Sequence, residues 1–162
     1  MYLQRKLNDK LVLYKGLRFG YKTTQKTKFT HKVTVGIGGN IGDVKRRFEH
    51  LFYFFKKSKK VEVLQTSSIL KNPPFGFREQ DDFFNALVVL KTGMTPMQML
   101  KYLQMVEKKF GRKRSFANAP RSLDLDIIFF DNANINNKRL KVPHPHWRER
   151  ESVLIPLMDL YR

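Results

Sequence analysis

The pattern of apolar and polar positions becomes regular from residue 33 onward. Val33 to Ile37 is a short β-rich run, and it leads into a glycine-rich stretch, Gly36 to Gly42. Val44, Phe48, Leu51, Phe52 and Phe55 then recur at helical spacing behind Asp43, which suits an N-cap. Val61 to Leu70 reads as one strand and is broken by Asn72-Pro73-Pro74-Phe75-Gly76-Phe77. Phe83 to Lys91 is almost continuously apolar, as a central strand is. Thr95-Pro96-Met97-Gln98 carries an N-cap, a proline at the first helical position and a capping box. Met99, Leu103, Val106 and Phe110 continue as a core stripe up to Gly111. A basic loop from Arg112 to Arg121 precedes a strand over Leu123 to Phe130. Asn132 to Asn137 predicts a turn into a strand over Lys138 to Val142, and Val153 to Leu157 is a last apolar segment.

The order β-α-β-β-α-β predicts a ferredoxin-like α+β fold, an antiparallel sheet with two helices on one face. Residues 1–31 fit this order less well. Leu11 to Tyr14 and Leu17 to Tyr21 suit short strands, and Tyr21 to His31 suits a linker or an extra edge strand. This segment holds eight Lys/Arg and one acid, Asp9, and so reads as a basic N-terminal extension.

Composition narrows the function classes. The chain has 162 residues, so one domain is expected. It carries 32 Lys+Arg against 14 Asp+Glu, a net +18, which points to polyanionic partners such as nucleic acid, anionic lipid or nucleotide phosphates. The absence of cysteine excludes disulfides, thiolate zinc sites and cysteine catalysis. No apolar run reaches transmembrane length and no secretory leader is evident, so no membrane role and a cytoplasmic address are expected.

Four constellations carry candidate chemistry. Asp124 and Asp126 sit at i and i+2 on a strand and share a face. They are either two surface acids or a hard oxygen pair for Mg²⁺ beside phosphate-binding Arg112, Arg114 and Arg121. Gly36 to Gly42 either cradles a phosphate or makes a tight turn; it fits neither the P-loop nor GxGxxG. His144 and His146, within Pro143 to Arg150, suit anion contacts or an exposed basic loop better than a transition metal. Asn85 interrupts an apolar strand. It is either tied to backbone or reads the amide edge of a heterocycle, with Phe83 stacking on that heterocycle's face. Gln104 and Glu107 share a helix strip that reads on its own as an ordinary solvated face.

Together these segments, in order from Val33 to Leu157, resemble the 6-hydroxymethyl-7,8-dihydropterin pyrophosphokinase family. The most specific block is Ala119-Pro120-Arg121-Ser122-Leu123-Asp124-Leu125-Asp126-Ile127. Ile37-Gly38-Gly39-Asn40, Asn72 to Gly76, Phe83 to Ala86 and Val142-Pro143-His144 with Arg150 support it. The resemblance implies a pyrophosphokinase domain over 32–162. It implies ATP as co-substrate, two Mg²⁺ held by Asp124 and Asp126, and transfer of pyrophosphate to the pterin with release of AMP. It places Pro73, Pro74, Phe75, Phe83, Asn85 and Asp124 at the pterin. Gln104, Glu107, Arg114, Ile127, Arg139, Leu140, His144 and Arg150 fall at ATP, and Arg112, Arg114 and Arg121 in or beside a mobile catalytic loop. Ser152 departs from the family, standing where a second stacking aromatic is common, and Trp147 is a candidate substitute. An oligomer is not implied. The rival from another class is a basic ferredoxin-like nucleic-acid-binding module. It lacks the aromatic RNA-binding motif and has no use for paired aspartates. A regulatory small-molecule-binding domain of the same fold also leaves that pair idle.

Overall fold

The computed structural model describes residues 1–74, 76, 78–112 and 120–161. Elements follow in the order β1 (Leu3–Lys6), β2 (Val12–Lys15), β3 (His31–Gly39), α1 (Val44–Lys57), β4 (Val61–Thr66), β5 (Ile69–Asn72), β6 (Phe83–Thr92), α2 (Pro96–Lys109), β7 (Asp124–Phe130), β8 (Ile135–Asn136), β9 (Lys141–Val142) and α3 (Glu151–Leu160). The architecture is mixed α/β around an antiparallel sheet of order β1-β2-β5-β6-β3-β7, with β4 also paired to β6.

Both expected helices form for the expected reasons. Asp43 Oδ1 accepts from Arg46 N at the start of α1, and Val44, Phe48, Leu51, Phe52 and Phe55 are all buried. Thr95 and Gln98 complete the capping box of α2, and Gly111 follows with a positive φ of 82°. These helices cover one face of the sheet, where Val33, Val35 and Ile37 of β3 meet Ala86, Val88 and Leu90 of β6. Because strand side chains alternate, Leu87 and Val89 point the other way. There they meet Ile128 and the buried Val153 and Leu160 of α3.

Several sequence expectations are corrected here. The last apolar segment, left without an element in the expected order, is part of α3, a third helix on the opposite face of the sheet, packed on β5 and β6. The run 61–70 divides into β4 and β5 at Ser67 and Ser68, where Leu87 N donates to Ser67 Oγ and Ser67 N donates to Leu87 O. The turn near 132–137 lies later. Asn137 Oδ1 accepts from the N–H of Arg139 and of Leu140 and closes the small β8–β9 hairpin.

Residues 1–31 are built into the sheet. β2 pairs with β5, Leu13 opposite Leu70, and β1 lies outside β2 as an exposed edge. Leu17 to Tyr21 forms a turn rather than a strand, and drives Phe19 into the core, fully buried against Phe48 and Phe52. The edge strand anticipated after Tyr21 shrinks to one bridge, Lys22 to Gln65.

Candidate active site

The site lies at one end of the α3 face, where β3 carries no side chains. Gly36 and Gly38 alternate onto this face. Gly36 is paired with Asp126, and Gly38 with Asp124 on one side and Asn85 on the other. A Cβ on Gly38 would stand 2.6 Å from Asn85 Oδ1, so only glycine leaves that oxygen its place. The stretch read as a phosphate-binding or turn loop is therefore mostly strand, and its glycines floor a cavity. Gly39 serves a second approach, since a Cβ there would meet Ser122 O at 2.6 Å.

A cavity of about 390 Å³ opens above this floor, within the size range of small-molecule sites. Asn72, Pro73, Pro74, Phe83, Asn85, Arg121, Asp124 and Glu149 to Ser152 line it. A smaller recess of about 60 Å³ continues beneath it, reaching Asp126, His144 and Arg150. Phe83, Asn85 and Asp124 line the cavity, and Asn85, Asp124 and Asp126 line the recess. Phe83 already carries a cation on its ring: the Arg121 guanidinium lies 5.7 Å from the centroid.

The aspartates differ in environment. Asp124 is held by two arginines. Arg112 Nη1 donates to its Oδ1, and Arg121 Nη1 to its Oδ2 at 3.1 Å. Asp126 is half-buried, and desolvation, with Asp124 and Glu107 nearby, pushes its carboxyl up to about 7. A desolvated carboxylate repelled by two neighbours asks for a cation, and oxygen-only donors suit magnesium. Among the described residues no third His, Cys, Asp or Glu completes a cluster. That too suits an ion which takes its remaining ligands from waters and phosphates. The pair therefore fits the group.

Glu107 is not the solvated residue its helix strip suggested. It is 5% exposed. Its Oε2 accepts from Leu125 N and from Arg112 Nη1, both at 2.8 Å. It anchors α2 to β7 and holds Arg112. Gln104, on the same helix, is half-buried. Ile127 turns its side chain into the core, leaving only its main chain for a ligand. Leu140 is likewise buried, while Arg139 is exposed at the hairpin turn. His144 is half-buried in the recess, and burial together with Arg150 lowers its pKa. His146 Nδ1 meets Glu149 Oε2 at 3.1 Å. Trp147 packs edge-on against Phe129, 5.1 Å between centroids, and is spent there rather than in the cavity. Phe75 and Arg114 lie outside the described residues.

Two residues missed by pattern reading organise the site. Asn40 is buried. Its Nδ2 donates to Gln80 Oε1 and Asp81 O, and its Oδ1 accepts from Arg121 N, tying the start of β6 to the arginine loop. Asn72, at the end of β5, accepts a hydrogen bond from Asn85. Each is a single polar residue whose partners are distant in sequence, so no periodicity marks it. The glycine-to-asparagine step of Gly39-Asn40 was the one available signal.

Carboxylates for a hard cation, arginines for phosphates and an amide beside an aromatic ring define a phosphoryl-transfer site that also takes a heterocycle. Residues 34–162 match the model of the family 7,8-dihydro-6-hydroxymethylpterin-pyrophosphokinase, and the chain belongs to that family. It is 39% identical over 131 residues to the 2-amino-4-hydroxy-6-hydroxymethyldihydropteridine pyrophosphokinase of Helicobacter pylori, covering 80% of each chain. It is 43% identical over 129 residues to the protein of that name from Campylobacter jejuni, covering 80% of this chain and 82% of the relative. The protein of that name from Bacillus subtilis is 36% identical over 126 residues, 78% of this chain and 75% of the relative.

Proposed function

We propose that the protein transfers pyrophosphate from ATP to the hydroxymethyl oxygen of 6-hydroxymethyl-7,8-dihydropterin and releases AMP, a step of folate synthesis. The observation that carries this reading is one cavity in which Asp124 faces Asn85 across the bare strand at Gly38. A cation site and a heterocycle site are thereby held on one rigid sheet. Positioning of this kind is most of what in-line phosphoryl transfer requires.

In this reading Asn85 pairs with the polar edge of the pterin, Phe83 stacks on one face, and Pro73, Pro74 and Phe75 close the pocket. Among the described residues that line the cavity Phe83 is the one aromatic, and Ser152 lines it too. Asp124 and Asp126 hold magnesium, two ions in our reading, which when bound neutralises phosphate charge and lowers the pKa of the attacking hydroxyl. Arg112 and Arg121 have two possible partners. Without nucleotide they neutralise Asp124. The triphosphate competes for their forked donors, and moving them onto it frees Asp124. Arg150 and His144 line the recess and serve the nucleotide, as do Gln104, Glu107, Arg114, Arg139, Leu140 and the main chain of Ile127. No general base is assigned.

We read β3, α1, β4–β5, β6, α2 and β7 as a ferredoxin-like unit, and residues 32–162 as the pyrophosphokinase segment. Residues 1–31 brace this segment through the pairing of β2 with β5. The test is AMP release from ATP and Mg²⁺ with and without the pterin. Pterin-dependent AMP is expected. ADP in its place excludes pyrophosphoryl transfer. No turnover and no ATP binding overturns the enzyme reading, and salt-dependent RNA binding then becomes the measurement to make.

A further inference from the structure

We infer that Asn72 is a specificity-determining positioning residue: it fixes which way the Asn85 amide points, and so which heterocycle edge the site accepts. This rests on the functional reading above, because Asn85 has to face the pterin.

One atom beside Asn72 has no choice of role. The carbonyl oxygen of Pro73 can only accept, and the Asn72 side chain reaches it at 3.1 Å. The atom facing it is therefore the Asn72 Nδ2. Asn72 Oδ1 must then face away, and it meets the Asn85 side chain at 2.7 Å. An acceptor there requires a donor, so Asn85 presents Nδ2 to Asn72. Asn85 Oδ1 is left on the far side, above Gly38, where a Cβ would collide with it. Three groups in series thus set one amide. Asn72 is buried at the end of β5, in register with Phe83, so the relay stands on a paired strand rather than on a loop.

So oriented, Asn85 offers one acceptor, Oδ1, and one remaining N–H. That pair matches a lactam edge, an N–H beside a C=O. It mismatches a diamino edge, where a ring nitrogen accepts and an exocyclic amine donates. Turning the amide over would reverse the preference. An unpinned asparagine turns over at little cost, whereas a pinned one leaves two buried polar atoms unpaired.

The experiment measures binding of 6-hydroxymethylpterin and of its 2,4-diamino counterpart by fluorescence titration, with steady-state kinetics beside it. For Asn72→Ala the expected result is a KM for the pterin raised roughly tenfold, the loss of about one buried hydrogen bond. The KM for ATP should stay within about twofold. Discrimination against the diamino compound should fall by a similar tenfold. Asn72→Asp can only accept, so it again forces Asn85 to donate, and discrimination should return whatever the absolute KM. A purely structural role would not separate these two variants. Wild-type discrimination in Asn72→Ala, or an Asn72→Asp variant that discriminates no better than Asn72→Ala, overturns the inference while leaving pterin-dependent AMP release intact. Wild-type protein that binds neither compound and releases no AMP overturns the functional reading along with it.

Discussion

On the α1/α2 face of the sheet, β3 contributes Val33, Val35 and Ile37, all buried. On the α3 face the same strand contributes Gly36 and Gly38 and leaves a hole. β7 repeats the contrast, with Leu125 and Ile127 in the apolar core and Asp124 and Asp126 at the cavity. Strand alternation lets one backbone serve both purposes. The closed face provides the burial that holds the strands in place. Those strands then hold like charges and bare backbone at fixed positions on the open face, where such groups gain nothing for stability.

The contrast is broken most sharply by truncating one side chain on each face. Asp126→Ala should lower kcat by at least about a thousandfold, the scale of losing a principal charge stabiliser, with circular dichroism and cooperative unfolding retained. A variant with near-normal turnover removes the cation site from the mechanism. Phe48→Ala, on the closed face and fully buried, should do the reverse. Denaturant titration should show about 3–5 kcal/mol of lost stability, while turnover per folded molecule stays close to wild type.

A smaller effect sharpens the comparison by pH. In the folded protein without metal, burial and the neighbouring carboxylates hold Asp126 up to about 7, against an ordinary value of 3.8. The unfolded chain therefore sheds this proton first as pH rises. The stability it contributes is fully present below about pH 4 and is lost as pH rises through about 7. Asp126→Asn does not titrate. Its stability relative to wild type should rise across that window, by on the order of a few kcal/mol, and level off above it. Urea unfolding of both proteins at pH 4.5 and pH 8 checks this, and parallel profiles would count against it. Added Mg²⁺ at pH 8 should close the gap by stabilising only the wild type.

Much of this was legible in the chain because it is written locally. The five apolar positions of α1, the capping box of α2 and the i, i+2 aspartates each depend on residues a few places apart. What was not legible depends on contacts across the fold. Glycines signal a break in a sequence, yet Gly36 and Gly38 lie within a strand because Ile128 crowds the first and Asn85 the second. Pro156 interrupts the pattern of α3, so a ten-residue helix read as a short apolar run. Glu107 looked solvated because its partner, Leu125 N, is a backbone group that no side-chain pattern reveals. Asn40 and Asn72 gain their meaning only when distant strands are brought alongside.

The pairing of β2 with β5 has a consequence for the order in which the molecule can be assembled. Val12 pairs with Lys71 and Leu13 with Leu70, so a growing chain releases β2 from the ribosome long before its partner exists. Leu11, Leu13 and Phe19 meanwhile have no buried place to go. Their docking is a late, non-local closure, the kind that slows folding and leaves apolar surface open to association. A nascent chain that has emerged from the ribosome only short of residue 69 should therefore be a better chaperone client than one that has emerged beyond residue 92, with β6 complete.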